Sequence, residues 1–169
     1  MTCDEDSFRH DLPGFYAQVV LAVLDHTSLL AIPRLARGVA SVMEACADNA
    51  PGRLWGYVVL PDALRFVVGP AGDETLDAFV DTIRACSSAR LLDLIRRADD
   101  DSLDRVLRYN PVWGGAIYRV WEAGCHRQIF WSAYKLSNAL YDLRWLPVAA
   151  GLVESPEQWP FGRVGSDAA

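Results

Sequence analysis

Two short apolar runs joined by a turn dipeptide constrain this chain more than any other feature. Leu54–Leu60 and Leu64–Val68 have the length and the composition of strands, and Pro61 and Asp62 lie between them. Such a pair with so short a connection predicts a β-hairpin. The hairpin implies an antiparallel sheet at the centre of the fold.

The flanks supply the rest of a sandwich. Phe15–Leu24 is rich in β-branched and aromatic residues and predicts a buried strand. Pro33 opens a helix in which Leu35, Val39, Val42, Met43 and Cys46 form one apolar stripe. Asn49, Ala50, Pro51 and Gly52 end it. Beyond the hairpin, Gly69, Pro70, Ala71 and Gly72 break the chain, and Asp73, Glu74 and Asp77 suit the positive end of a following helix. Leu76, Phe79, Val80 and Ile83 give that helix its apolar face. A second helical run is expected over Ala89–Ala98, then an acidic, solvated connection over Asp99–Asp101. Ala116–Val120 reads as a strand or a buried loop. Leu136, Leu140 and Leu143 have helical spacing within Tyr134–Leu143, and Pro147 is expected to stop that helix. The order β-α-β-β-α with a further helix predicts an α+β fold: a ferredoxin-like antiparallel sheet with helices packed mainly on one face. The expected organisation is a flexible lead over 1–12, one domain over 13–163 and a flexible tail over 164–169.

Composition excludes several function classes. The 169 residues suit one domain, and no apolar run approaches the length of a membrane span. Met1–Asp11 is acidic, the wrong charge for a secretory or mitochondrial leader, so a cytoplasmic protein is expected. Cys3, Cys46, Cys86 and Cys125 are scattered without a paired motif, which argues against a zinc site or a disulfide framework. The net charge of −6 counts against a general polyanion binder, although local arginine patches can exist on an acidic chain.

Three segments carry a family resemblance. Leu54-Trp-Gly-Tyr-Val-Val-Leu-Pro-Asp-Ala-Leu-Arg-Phe-Val-Val68 is similar to a strand-turn-strand of the form aliphatic-Tyr-Val-Ile-Met-Pro-Asn-His-Val-His-Leu-Leu-Val. Val120-Trp-Glu-Ala-Gly-Cys-His126 is similar to Phe-Trp-Gln-x-Gly-Tyr-His. Pro147-Val-Ala-Ala-Gly-Leu-Val-Glu-Ser-Pro-Glu-Gln-Trp-Pro160 is similar to Pro-Val-Arg-Ala-Gly-Leu-Val-Glu-x-Pro-Glu-Asp-Trp-Pro and is the most specific of the three. Together they resemble the REP-associated tyrosine transposases, of the HUH nuclease superfamily with its IS200-like transposase domain, over roughly residues 13 to 163. The resemblance implies a protein that handles single-stranded DNA beside folded hairpins. Active members hold a divalent metal such as magnesium or manganese on two histidines of a strand, whose spacing of two points both to one face. The metal polarises the scissile phosphate, and a tyrosine attacks to form a covalent link.

The residues present depart from that machinery. The two histidine positions are Ala63 and Arg65. Alanine has no lone pair, and arginine has no acceptor and stays protonated. The tyrosine position is Asp142, and the assisting asparagine is Leu146. Tyr141 is one residue from the nucleophile position, which on a helix is a turn of about 100 degrees. Neither a metal nor another cofactor is therefore expected. Arg65 has two readings: a phosphate or carboxylate contact in place of the metal, or an ordinary salt bridge, with Asp142 as its nearest candidate partner. Candidate DNA contacts are Arg65, Arg84, Arg90, Arg96, Arg97 and Arg144, with Trp145 as a base-stacking ring. Asp93 and Asp99–Asp101 lie close to several of these arginines, and a solvated mixed-charge face is the bland alternative. His10, His26 and His126 are too dispersed to form a site.

Three functions follow. The first is a transposase-like DNA-binding protein, catalytically inactive, that engages single-stranded or hairpin DNA. The second is a protein-interaction module that reuses the fold, with a protein partner or a second copy. The third, ranked last, is an active nuclease using Tyr141 or Tyr134.

Overall fold

The computed structural model describes residues 15–50, 53–69, 75–98, 108–109 and 117–165. The elements in chain order are β1 (Tyr16–Ala22), α1 (Pro33–Asn49), β2 (Leu54–Leu60), β3 (Ala63–Val68), α2 (Leu76–Arg97), β4 (Arg108–Tyr109), β5 (Ile117–Tyr118), β6 (His126–Phe130), α3 (Ala133–Ala149) and β7 (Gly162–Val164). Five strands form one sheet in the order β6-β1-β3-β2-β7, and every neighbouring pair is antiparallel. β4 and β5 pair separately. The first four strands of that order, with α1 and α2, make the split βαβ arrangement of a ferredoxin-like fold. This is the expected α+β class.

Alternation along each strand builds two cores. Ala17, Val19 and Leu21 of β1, Tyr57 and Val59 of β2, and Leu64, Phe66 and Val68 of β3 meet Leu35, Val39 and Met43 of α1 and Phe79, Ile83, Leu91 and Ile95 of α2. On the other face, Val58, Leu60, Val67 and Phe130 meet Leu136, Ala139, Leu140 and Leu143 of α3. Of the three long helices among the described residues, α1 and α2 share one face and α3 packs on the other.

The expected pair of helices between the hairpin and Ala98 is one continuous helix, α2. Its middle, Ala85–Ala89, has no large apolar residue, so the stripe looked broken in sequence. Ser87 continues it instead. Its hydroxyl donates to the Ile83 carbonyl at 2.6 Å and accepts the Trp121 indole N–H at 2.9 Å, so a polar residue fills the buried position without an unpaired group. Nor does Pro147 stop α3, which runs on to Ala149. The proline withholds the bond its N–H would have given to the Leu143 carbonyl, but it sits in the last turn. There the Ala150 N–H reaches Leu146 and the Leu152 N–H reaches Pro147, so the terminal carbonyls are satisfied. Of the 116–120 segment, Ile117 and Tyr118 form β5 and Val120 is buried, while Ala116 and Asp99–Asp101 lie outside the described residues. No helix among the described residues is long and apolar enough to cross a membrane.

Candidate nucleic-acid interface

The hairpin and α3 together position the residues that the resemblance singled out. On β3 the strand period puts Ala63, Arg65 and Val67 on the face that carries α3. Strand register then draws a straight row across the sheet. His126 of β6 lies opposite Val20 of β1, Val20 opposite Arg65, Arg65 opposite Val58 of β2, and Val58 opposite Gly162 of β7. The neighbouring row runs Gln128, Gln18, Val67, Gly56, Val164. α3 packs on β2, β7 and part of β3. It leaves uncovered a strip of sheet where Gln18, Val20, His126 and Gln128 are exposed or half-exposed.

The orientation of α3 follows from its partners. Arg144 reaches Glu157 at 2.7 Å, in the segment leading to β7. Asp142 and Leu146 are each two residues from Arg144, a turn of about 200 degrees, so they project from the opposite flank, toward the open strip. Ala63, Arg65, Asp142 and Leu146 therefore lie along one border, where the helix edge meets the uncovered sheet. Their environments differ. Ala63 is buried, Arg65 and Leu146 are half-buried, and Asp142 is exposed.

The expected pairing of Arg65 with Asp142 does not form. Among the described residues Arg65 makes no ion pair, and its Nε is buried without a hydrogen-bond partner. The short Asp142 side chain stays in solvent on the helix flank. A buried donor left unpaired costs about 1–3 kcal/mol. The same border does not fit a divalent metal. Ala63 offers no donor atom and Arg65 is a fixed cation. Among the described residues, no three His, Cys, Asp or Glu side chains gather as a ligand set.

The other candidate arginines are dispersed and engaged. Arg84, Arg90, Arg96 and Arg97 sit on α2, across the sheet from Arg65 and α3. Arg84 donates to the Gly124 carbonyl and lies near Asp81. Arg90 and Arg97 share Asp93, at 3.5 and 2.9 Å. The Arg96 guanidinium lies over the Tyr118 ring at 5.2 Å. Arg144 belongs to the α3 side but is paired with Glu157, whose carboxyl is held below the ordinary range by its own backbone N–H and by that guanidinium. Only Arg65, Arg144 and Trp145 of the candidate set share a face.

The outer surface of α3 is aromatic. Tyr134, Tyr141 and Trp145 follow a spacing of seven and four residues and form one stripe pointing away from the sheet, and Trp131 precedes it. Tyr134 is 76% exposed and Tyr141 61%, so neither is a packing residue. Tyr141 lies against Trp145 with ring centroids 5.9 Å apart. Its ring is directed away from the row that carries Arg65.

Sequence reasoning set His126 aside and did not single out Gln18 or Gln128. The signal was present: the exposed His126 and Gln128 alternate with the half-buried Arg127 and Ile129, as on a strand with one open face. Arg127 points the other way and pairs with Asp77 and Cys125. Burial opposes its charge, yet those two partners hold it above the ordinary arginine value. His26 is exposed in the turn after β1, and His10 lies outside the described residues.

The segment after α3 is a strap. Ser155 and Gln158 form a capping box around the turn at Pro156–Gln158. The Trp159 indole then donates to the Val59 carbonyl at 3.1 Å, and the Phe161 carbonyl accepts from the Val59 N–H at 2.8 Å. β7 follows directly and pairs with β2.

No protein-family model matches the sequence, and neither does any curated protein at a significant level. Solved structures do match. One is the structure of a REP-associated tyrosine transposase bound to a REP hairpin, with a TM-score of 0.61 and 14% identity, covering 91% of this chain and 79% of that one. Another is a Deinococcus radiodurans protein to which a transposase role is ascribed, with a TM-score of 0.50 and 15% identity, covering 75% of this chain and 87% of that one. At these identities the likeness shows the fold, which is transposase-like over most of the chain.

Proposed function

We propose that this chain is a degenerate relative of the REP-associated tyrosine transposases that binds single-stranded or hairpin DNA without cutting it. The observation that carries the reading is the border between α3 and the open strip. The fold resembles that of a hairpin-bound transposase, but where two metal-binding histidines are expected the sheet carries Ala63 and Arg65, which makes no ion pair among the described residues. A fixed cation can attract a phosphate but cannot polarise it as a metal does, nor can it generate a nucleophile. Asp142 in the tyrosine position forms no phosphotyrosine. Tyr141 is turned away from the row, which places the active-enzyme reading last. Trp145, with Tyr141 beside it, offers a ring face to an unpaired base.

The test is binding to a labelled single-stranded DNA hairpin, with magnesium or manganese present and products resolved on a denaturing gel. The expected outcome is salt-sensitive binding with intact DNA. A covalent protein–DNA adduct overturns the claim of inactivity. Absence of binding at low salt favours the second reading, a protein-interaction surface. What supports that alternative is the exposed stripe of Tyr134, Tyr141 and Trp145 on a chain of net charge −6. A cytoplasmic location belongs to the same proposal, as that of a DNA-handling protein.

A further inference from the structure

We infer that the open strip beside α3 is a metal-independent phosphate site, in which Arg65 is the principal ligand and His126, Gln18 and Gln128 complete the donor set. The inference rests on the DNA-binding reading only for the source of the phosphate.

Four polar side chains surround Val20 on one face of the sheet. Arg65 lies opposite it on β3 and His126 opposite it on β6. Gln18 is two residues along β1, and Gln128 is opposite Gln18. With strands about 4.8 Å apart, the backbones of Arg65 and His126 are separated by about 10 Å. Side chains of their length can span that gap and meet a ligand over Val20. Gln18 and Gln128 enter from one further step along the strands, about 7 Å away. No hydrogen bond or ion pair engages the side chains of Arg65, Gln18, His126 or Gln128 among the described residues, whereas the arginines of α2 described above each have a partner.

The donor set has a definite chemistry. A guanidinium offers a planar fork of N–H groups, an imidazole offers one or two, and each glutamine amide offers two. Donors placed on three sides of Val20 suit a tetrahedral anion with several acceptor oxygens better than a planar carboxylate. The nearby carboxylates do not compete. Asp142 stands in solvent on the flank of α3, and Glu122 accepts the Asp25 N–H at 2.6 Å. The same chemistry would hold an internal phosphodiester or a free phosphate, and the two are separable by experiment.

The probes are inorganic phosphate and a short thymidine oligonucleotide, titrated into isotope-labelled protein and followed by amide and side-chain NMR shifts in EDTA, with chloride at matched ionic strength as control. Saturable shifts are expected at Arg65, Val20, Gln18 and His126 with phosphate and not with chloride. Arg65→Gln should weaken binding roughly tenfold, Arg65→Lys less, and His126→Gln by a smaller factor again. The spectra of the variants report directly that each is folded. Shifts that fail to saturate, that persist in Arg65→Gln or that require a metal would overturn the site. Full hairpin binding by Arg65→Gln would also overturn it while leaving DNA binding intact. Phosphate binding at Arg65 without hairpin binding would uphold the site as one for a free phosphate and remove the DNA reading.

Discussion

At the scale of single residues, Arg65 and Tyr57 are opposite cases. Arg65 keeps a buried Nε without a partner, on a strand whose other buried positions are apolar. Replacing it with methionine should leave unfolding in urea unchanged or make the protein more stable, since an unpaired donor is removed and the stem is kept. A loss of more than about 1 kcal/mol would mean that the arginine supports the fold and is not reserved for a ligand. Tyr57 is the opposite case. Its hydroxyl donates to Glu44 at 2.6 Å, and Glu44 also pairs with Arg163, so α1, β2 and β7 are tied at one point. Burial, then the Glu44 carboxylate, pushes the phenol above its ordinary value. The folded state therefore favours the protonated phenol. Its contribution is full below the unfolded value of about 10 and is lost as pH rises from there toward the folded value. Tyr57→Phe should flatten the fall of the melting temperature from about pH 10 upward. If wild type and variant fall in parallel, the phenol is not the source.

At the scale of elements, the edges of the sheet carry the information that patterning hides. β1, α1 and the hairpin were legible because each buries a clean stripe or alternation, and Val19, Leu35 and Phe66 are fully buried as their spacing requires. Ala63, Arg65, Asp142 and Leu146 were singled out by the resemblance alone, since nothing in periodicity marks an alanine or a leucine as a site position. β6 was missed because it is an edge strand whose open face holds His126 and Gln128, so it lacks the apolar run that announces a strand. β7 was missed because three residues that include Gly162 give no pattern. Its seat depends on Gly56, where an added Cβ would stand 3.1 Å from the Val164 Cα and 3.2 Å from the Arg163 carbonyl. These are backbone atoms that cannot swing aside. Gly56→Val should release β7 and cost about 1–3 kcal/mol. Hydrogen exchange at Gly162–Val164 would show it as lost protection, and unchanged protection would mean that the edge can shift to accommodate the side chain.

At the scale of the whole molecule, charge sets the strength of any nucleic-acid complex. A chain of net charge −6, with most of its described arginines already engaged, can neutralise few phosphates. Each phosphate contact contributes a slope of about −0.7 to −0.9 to the dependence of log affinity on log salt, so one to three contacts predict a total between about −1 and −3. A hairpin titration across a salt series measures it. A slope near −6 would require a basic surface that the described α2 face does not present. The split of the candidate arginines between two sides of the sheet could not have been read from the sequence, because it depends on which helix packs where.

The strap from Ser155 to Phe161 has a consequence for how such a protein changes over time. It fastens to the backbone of Val59 and to the last strand, and it touches none of the four border residues through its hydrogen bonds. Shape and chemistry are therefore maintained by separate parts of the chain. Substitution at the exposed Asp142 or at Arg65 leaves the hydrogen bonds of the strap in place, while a change at Trp159 would remove its bond to Val59 and leave those two residues as they are. That separation lets the surface beside α3 vary while the frame stays as it is.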